Sequence, residues 1–151
     1  MKRTFFVAGL PATKGSTKSF RSPTTRRIVT KNDNPRTKGW QARIAWAARD
    51  AGFRPAEGPM RVDLVFALQR PVAHRGTGRN ASRLRAGAPR HHVSKPDLDK
   101  LIRAVLDGLT RVAWVDDNQV VEISSRKTYA DCAAELGVTV TIEAIAEEHA
   151  A

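Results

Sequence analysis

The segment from residue 95 to residue 121 constrains the fold more strongly than any other part of the chain. Its apolar residues recur at helical spacing: Leu98, Leu101 or Ile102, Val105 and Leu109. The pattern predicts an amphipathic helix that starts near Asp97–Asp99, where Pro96 and a capping aspartate mark the beginning, and ends before Thr110. The chain's 151 residues suffice for a single domain, 1–151, with a buried core on which the apolar face of this helix packs.

Strands are predicted both before and after this helix in the sequence. Met60 to Leu68 alternates apolar and polar residues, which indicates a half-buried strand. The other strand segments are Thr4 to Leu10, Arg27 to Lys31 (a short strand or a hairpin arm), Val120 to about Tyr129, and Leu136 to Ala144. The fold class is therefore α/β of the α+β type, with a mixed β-sheet packed against two main helices. The tail from about residue 145 is expected to fray.

The second of these helices is predicted from Pro35 to Ala51. One face carries its apolar residues at helical spacing: Trp40, Ile44 and Ala47 or Ala48. Asp33 or Asn34 is expected to cap it, and Gly52 to end it. The polar, basic residues 16–27 that precede it are interpreted as a mobile DNA-contacting loop.

The charge of the chain is unevenly distributed. The net charge is +11; residues 1–50 hold twelve Lys or Arg against two acids, and residues 70–95 hold seven against none. Residues 96–151 reverse the balance, with five basic residues against eleven acidic ones. Two basic segments around an acidic centre favour a nucleic-acid partner bound about a cation site, and generic solubility charge is the alternative.

Composition also limits where the chain works. No apolar run approaches the roughly 20 residues that a membrane helix needs. The single cysteine, Cys132, excludes an internal disulfide and a cysteine metal cluster. These features are typical of a protein of a reducing cytoplasm.

The segment from residue 70 to residue 95 has no helical or strand periodicity. A basic loop of this length favours contact with a phosphate backbone. Candidate DNA-binding residues in it are Arg75, Arg79, Arg83 and Arg85. Its histidines lack the spacing of metal ligands, so DNA contact or solvent exposure is expected for His74, His91 and His92.

Two pairs of aspartates flank the predicted helix of residues 97–109. Asp97 and Asp99, two residues apart in an extended segment, are expected to point to the same side, and a third carboxylate would come from Asp116–Asp117. Oxygen ligands of this kind suit Mg²⁺. Arg103, one turn beyond Asp99, is a candidate to bind the scissile phosphate. The alternative is structural: Asp97 as a helix cap and residues 116–119 as a polar turn.

The same stretch resembles the RusA family of Holliday-junction resolvases. The residues that carry the resemblance run from Pro96 to Leu109, continue with Trp114-Val-Asp116-Asp117-Asn-Gln119-Val120, and end at Arg126-Lys127. Gly9-Leu-Pro11-Ala-Thr-Lys14-Gly15 is similar to the entry motif of phage-type members. The resemblance is dense over residues 95–128 and looser over residues 1–50.

The resemblance implies a homodimeric, Mg²⁺-dependent endonuclease with a RusA-like fold that cuts four-way junctions in pairs of nicks, with Mn²⁺ as a substitute ion. It assigns the essential carboxylates to Asp97, Asp99 and Asp117, with Asp116 auxiliary. Arg103 stands where the family has a catalytic lysine, and Lys100 where it has asparagine. DNA contacts outside the arginine-rich segment fall to Lys14, Lys18, Lys100 and Lys127.

Two rival functions remain open at this stage. One is a non-catalytic module that binds branched or single-stranded nucleic acid and uses its aspartates only as caps and turns. The other is a nuclease that acts on a different substrate, such as flaps or RNA.

Overall fold

The structure, a computed structural model, describes residues 1–15, 17–32 and 34–147. In chain order its elements are β1 (Lys2–Ala8), β2 (Thr17–Arg21), β3 (Ile28–Asn32), α1 (Thr37–Asp50), β4 (Met60–Gln69), α2 (Leu98–Leu109), β5 (Val120–Ala130) and β6 (Gly137–Ala144). The α+β class expected from the sequence is confirmed. The proposed cap Asp33 and the end of the tail, 148–151, lie outside the described residues.

The chain divides into two compact units, each built from separate stretches of sequence. The first holds residues 1–11, 58–95 and the chain from 118 onward; the second holds residues 12–57 and 96–117. That the whole chain is one domain stays a prediction. None of the described helices is both long and apolar enough to cross a membrane.

A mixed four-stranded sheet forms the first unit, in the order β1-β6-β4-β5. β6 runs antiparallel to both β1 and β4, whereas β4 and β5 are parallel. Parallel neighbours need a long crossover, and the 50 or so residues between β4 and β5 supply it. β5 lies at one edge of the sheet and β1 at the other.

One face of the sheet is buried and carries large apolar side chains, as the alternation in β4 predicted. In β4 this face carries Val62, Leu64, Phe66 and Leu68, each at most 2 % exposed. Val138, Val140 and Ile142 of β6 are buried in the same way. Gly137 begins β6 at φ +152°, and a Cβ there would lie 2.1 Å from the Val7 carbonyl oxygen. Only glycine therefore fits at the start of this strand pair.

Two helices pack together in the second unit. The α1 face predicted from the sequence is buried: Trp40, Ile44 and Ala48. Leu101, Val105 and Leu109 of α2 are fully buried. The helices are in close contact at Gly108, where a Cβ would lie 3.2 Å from the Gln41 carbonyl oxygen. A larger residue at 108 would force the helices apart.

Helix α1 begins two residues later than expected. Its N-cap position is Arg36, which makes no capping hydrogen bond with its side chain. Asn34 contributes instead, since its Oδ1 accepts from the Arg36 amide at 3.0 Å and its Nδ2 donates to the Thr13 carbonyl at 2.9 Å. Gly52 follows the helix at φ +84°, the left-handed conformation expected at a helix end.

The second unit also contains a separate two-stranded antiparallel sheet, β2 with β3. β3 confirms the short strand predicted near residues 27–31. The interpretation of residues 16–27 as a mobile loop is wrong for Thr17–Arg21, which form β2. The strand was missed because it carries a single large apolar residue, Phe20, among polar ones. Cross-strand pairing, and not an apolar face, makes these residues a strand.

Candidate active site

The first two candidate carboxylates lie at the start of α2. Asp97 is the N-cap, with extended backbone (φ −69°, ψ 137°), and its side chain makes no capping hydrogen bond. Asp99 is the second residue of the helix, so the expectation that both lie in extended backbone is wrong. Residues two apart on a helix do not share a face, so the same-side argument fails for this pair. Both side chains are exposed.

Charge around this helix start is mixed. Asp97 Oδ2 lies 3.4 Å from Lys100 Nζ, an exposed ion pair of small energetic value. Negative charge in the first turn is favourable to the helix dipole, which applies to Asp99. Arg103, one turn further along α2, is exposed. Within the described part of the chain, neither Asp99 nor Arg103 forms an ion pair.

The second pair of carboxylates follows a hydrogen-bonded turn. Thr110 ends α2, and Arg111 takes a left-handed conformation at φ 64° with its amide donating to the Trp114 carbonyl at 2.7 Å. Trp114 is fully buried, and its indole Nε1 donates to Thr110 Oγ1 at 3.3 Å. The buried indole fixes the chain immediately before Asp116 and Asp117, whose side chains are exposed.

The four aspartates belong to one compact unit, but their side chains are not assembled around a common point. Among residues 1–15, 17–32 and 34–147, no three His, Cys, Asp or Glu side chains are grouped closely enough to hold a metal ion. Binding of one ion by three of these carboxylates therefore requires rearrangement. The donor chemistry does fit Mg²⁺, which prefers exposed carboxylate oxygens together with water.

The Lys14 ammonium group is engaged within the protein, whereas a phosphate ligand would be expected to extend into solvent. Its Nζ lies 2.5 Å from Asp107 Oδ2, with both side chains less than one-third exposed. Gln41 Nε2 of α1 also approaches that oxygen, at 3.5 Å. The Lys14 amide donates to the Lys100 carbonyl at 3.2 Å. Asp107 therefore ties the loop before β2 to α2. Its position in the helical pattern gave no sign of this.

The segment of residues 70–95 is folded, although its sequence lacks periodicity. It contains two 3-10 helices, Val72–His74 and Gly78–Asn80, and a bridge between Arg75 and Leu84. Arg75 donates to the carbonyls of Ser82 and Asp131 at 2.9 and 3.2 Å, and Arg85 Nε donates to the Arg75 carbonyl at 2.6 Å. These guanidinium groups hold the segment together.

In the described part of the chain, the side chains of the other two arginines predicted to bind DNA do not take part in holding this segment together. Arg79 and Arg83 are exposed. The hydrogen bonds and ion pairs of the described chain include neither guanidinium group. They are consequently open to solvent and to an anionic ligand, unlike Arg75 and Arg85. Lys127 of β5 donates to the Ser94 carbonyl at 2.9 Å and so fastens the end of the segment.

Tyr129 of β5 anchors the segment of residues 70–95. The Arg70 guanidinium lies 4.0 Å from the centre of its ring, a cation–π contact. The His74 and His92 rings lie 5.6 and 4.9 Å away, centre to centre. The expectation that these histidines contact DNA or solvent is wrong for His92, which is only 8 % exposed. Burial and the nearby Lys127 charge lower the His92 pKa.

Comparison with protein families identifies a match for most of the chain. The family model described as endodeoxyribonuclease RusA matches residues 14–143. This range spans both compact units, all four candidate aspartates and Arg103. No curated protein matches the chain.

Proposed function

Because the chain belongs to the endodeoxyribonuclease RusA family, we propose that it is a structure-selective DNA endonuclease that resolves four-way junctions by paired nicks across the crossover. The observation that carries this proposal is the family match over residues 14–143. Further support comes from the position of the candidate acids, which are exposed: Asp97 and Asp99 lie at the start of α2, and Asp116 and Asp117 follow the turn after its end. The products are a 5′-phosphate and a 3′-hydroxyl.

Asp97, Asp99 and Asp117 would hold a divalent cation, Mg²⁺ with Mn²⁺ as a substitute, and Asp116 would assist. The Asp97 carboxylate makes no capping hydrogen bond, and this favours a metal-binding role for Asp97 over that of a simple helix cap. When bound, a divalent cation supplies Lewis acidity toward the phosphodiester and promotes ionisation of the attacking water. The candidate carboxylates are exposed, so their side chains can change rotamer without disturbing the core.

Arg103 binds the scissile phosphate and opposes the charge that builds on its oxygens. It lies one helical turn beyond Asp99, on the same side of α2. A guanidinium in place of the family's lysine offers a planar pair of donors, which matches two phosphate oxygens at once. Its exposure and its lack of an ion pair among the described residues leave it available for this contact.

The remaining basic residues bind the DNA backbone to different extents. Lys18, Arg79 and Arg83 are exposed, and we assign them the strongest contacts. Weaker contacts are assigned to residues already engaged within the protein: Lys14, Arg75, Arg85, Lys100 and Lys127. A homodimer in the cytoplasm suits the substrate, since a four-way junction offers two equivalent strands to cut.

The test is cleavage of a labelled four-way junction by Asp97→Asn and Asp117→Asn in Mg²⁺, Mn²⁺ and EDTA. Each variant is expected to lose nicking by at least about a hundredfold, because an amide binds a hard cation far less well than a carboxylate. Junction binding should persist, because removing negative charge does not weaken contact with a polyanion. Wild-type activity should require the divalent ion.

Asp50→Asn is the matched control, since Asp50 is an exposed aspartate of the same unit at the end of α1. Its nicking rate should equal that of the wild type. Full nicking by both Asp97→Asn and Asp117→Asn would overturn the assignment of these carboxylates. Activity in EDTA would overturn the requirement for a metal.

One observation favours a second candidate, a module that binds branched DNA without cutting it. The candidate carboxylates are not grouped for metal binding in the described residues. Under this alternative the wild-type protein binds the junction and yields no product with any divalent ion. Flap and RNA substrates in the same assay distinguish a nuclease of different selectivity.

A further inference from the structure

The β2–β3 hairpin spans Thr17–Asn32 and shows no buried face among its described strand side chains. Every described side chain on its strands, 18–21 and 28–31, is exposed. An isolated two-stranded hairpin is at best marginally stable in water, because it has no core of its own. Even so, it exposes large apolar side chains: Phe20 is 49 %, Ile28 75 % and Val29 39 % exposed. A ribbon of this kind is typical of a surface that a ligand covers.

Strand register determines which side chains share a face. Phe20 pairs with Val29, and Lys18 pairs with Lys31. Because side chains alternate along a strand, these two cross-strand pairs lie on the same face. The pair between them, Ser19 and Thr30, lies on the opposite face and is joined there by a hydroxyl hydrogen bond of 2.9 Å. One face thus presents two ammonium groups and, about 7 Å along the strands, an aromatic ring.

The charge of the hairpin indicates the partner. Residues 17–32 contain five cations and no acid: Lys18, Arg21, Arg26, Arg27 and Lys31. Two lysines directly opposite each other destabilise a strand pair, so this arrangement works against the hairpin alone. Arg26 also adopts φ 54°, a conformation that favours glycine. A polyanion bound to this face would offset the repulsion between the two lysines.

We propose that the Lys18–Phe20–Val29–Lys31 face of this hairpin binds nucleic acid at unstacked bases, with Phe20 stacked on a base and the two lysines on flanking phosphates. Stacking on aromatic side chains beside a basic track is the common way proteins hold bases that are not paired within a duplex. The proposal rests on the proposed function for its substrate, since the base pairs that meet at the branch point of an open four-way junction lack a stacking neighbour on one side.

A second copy of the chain is the competing occupant. Two such hairpins would bring ten like charges together, which disfavours a homomeric contact through this face. An exposed aromatic ring between cations is, in contrast, complementary to a base between phosphates. The charge pattern therefore selects nucleic acid.

The first experiment measures binding of a fluorescent four-way junction and of a matched linear duplex in EDTA. Phe20→Ala is expected to weaken junction binding about tenfold and duplex binding much less. Phe20→Tyr, which keeps a ring, should restore the affinity. Trp46→Ala is the control, because Trp46 is another exposed aromatic residue of the same unit, 68 % exposed on α1.

Base stacking has its own readout. A 2-aminopurine at the branch point should change fluorescence on binding, and this change should be lost in Phe20→Ala but kept in Phe20→Tyr. A 2-aminopurine placed within an arm should show no effect of Phe20→Ala. Equal responses at both positions, or no loss of affinity in Phe20→Ala, would overturn the role of Phe20.

The lysines are tested by the salt dependence of affinity. The double variant Lys18→Ala/Lys31→Ala should reduce the magnitude of the slope of log K against log[salt] by about 1.8, the value expected for the loss of two phosphate contacts. Lys38→Ala, on α1, is the control for loss of a single exposed charge. A slope unchanged by the double variant would overturn the phosphate contacts.

Binding and cleavage separate this proposal from the proposed function. If the junction is bound but never cut, catalysis fails, while the hairpin is still tested by affinity. If cleavage is normal and the hairpin variants bind like the wild type, the hairpin proposal fails alone. Sedimentation of Phe20→Ala completes the test: conversion of a dimer to a monomer would identify the face as a contact between copies and overturn the proposal.

Discussion

Two basic stretches of this chain look alike in sequence and differ in structure. The hairpin of residues 17–32 and the segment of residues 70–95 each carry several cations and no acid. The hairpin exposes its side chains on both faces, whereas the segment bonds Arg75 and Arg85 to its own carbonyls and stacks Arg70 on Tyr129. Basic residues in a sequence therefore do not by themselves predict that the side chains are exposed or that they contact DNA. Neighbouring carbonyl groups and rings decide whether an arginine is structural.

The largest expected contrast between the two stretches comes from removing one aromatic ring from each. Tyr129→Ala should lower the free energy of unfolding by about 2–4 kcal/mol, because the ring supports Arg70 and two histidines. Phe20→Ala should change it by less than about 0.5 kcal/mol, since this ring is exposed. Urea unfolding followed by tryptophan fluorescence measures both. Similar losses in the two variants would show that the hairpin ring is structural too.

A smaller contrast is expected among the arginines of residues 70–95. Arg75→Ala removes hydrogen bonds to two carbonyls and should cost about 1–2 kcal/mol of unfolding free energy. Arg79→Ala, its matched control, should cost less than about 0.5 kcal/mol and should weaken DNA binding more. Unfolding and junction titrations on the same samples test this pair. The division into structural and open arginines is wrong if Arg79→Ala is the less stable variant.

The smallest expected effect is a pH dependence confined to the segment around Tyr129. Burial and Lys127 lower the His92 pKa below its usual 6.5, so the unfolded chain takes up a proton at a higher pH than the folded one does. Stability should therefore be constant above about pH 6.5 and fall as the pH drops toward the lowered pKa. Unfolding curves from pH 7.5 to 5 measure this slope.

His92→Gln is the control for this pH effect and should flatten the curve in that range. The hairpin contains no histidine within residues 17–32, so the same pH change should not alter its contribution to DNA affinity through titration. A slope that persists in His92→Gln would assign the effect to another group.

The two pairs of candidate carboxylates show how far the sequence alone reached. Helical spacing located α2 within a residue at each end, and the motif at Trp114-Val-Asp116-Asp117 pointed to the family that the model match then showed. The spacing did not correctly predict the directions in which the aspartate side chains point. Asp99 lies inside the helix rather than before it, because the helix starts at Leu98. The roles of these carboxylates stay predictions.

The local sequence pattern determined the strands and helices, because apolar periodicity depends only on residues that are close together in the sequence. The alternation of β4 and the apolar stripes of α1 and α2 are examples, and each matched a buried face. The partners of polar groups belong to tertiary structure, since Lys14 meets Asp107, and Tyr129 meets His92, across long stretches of sequence. The sequence identified a basic chain with an acid-flanked helix. Only the folded chain distinguished cations used for structure from those left open to a ligand.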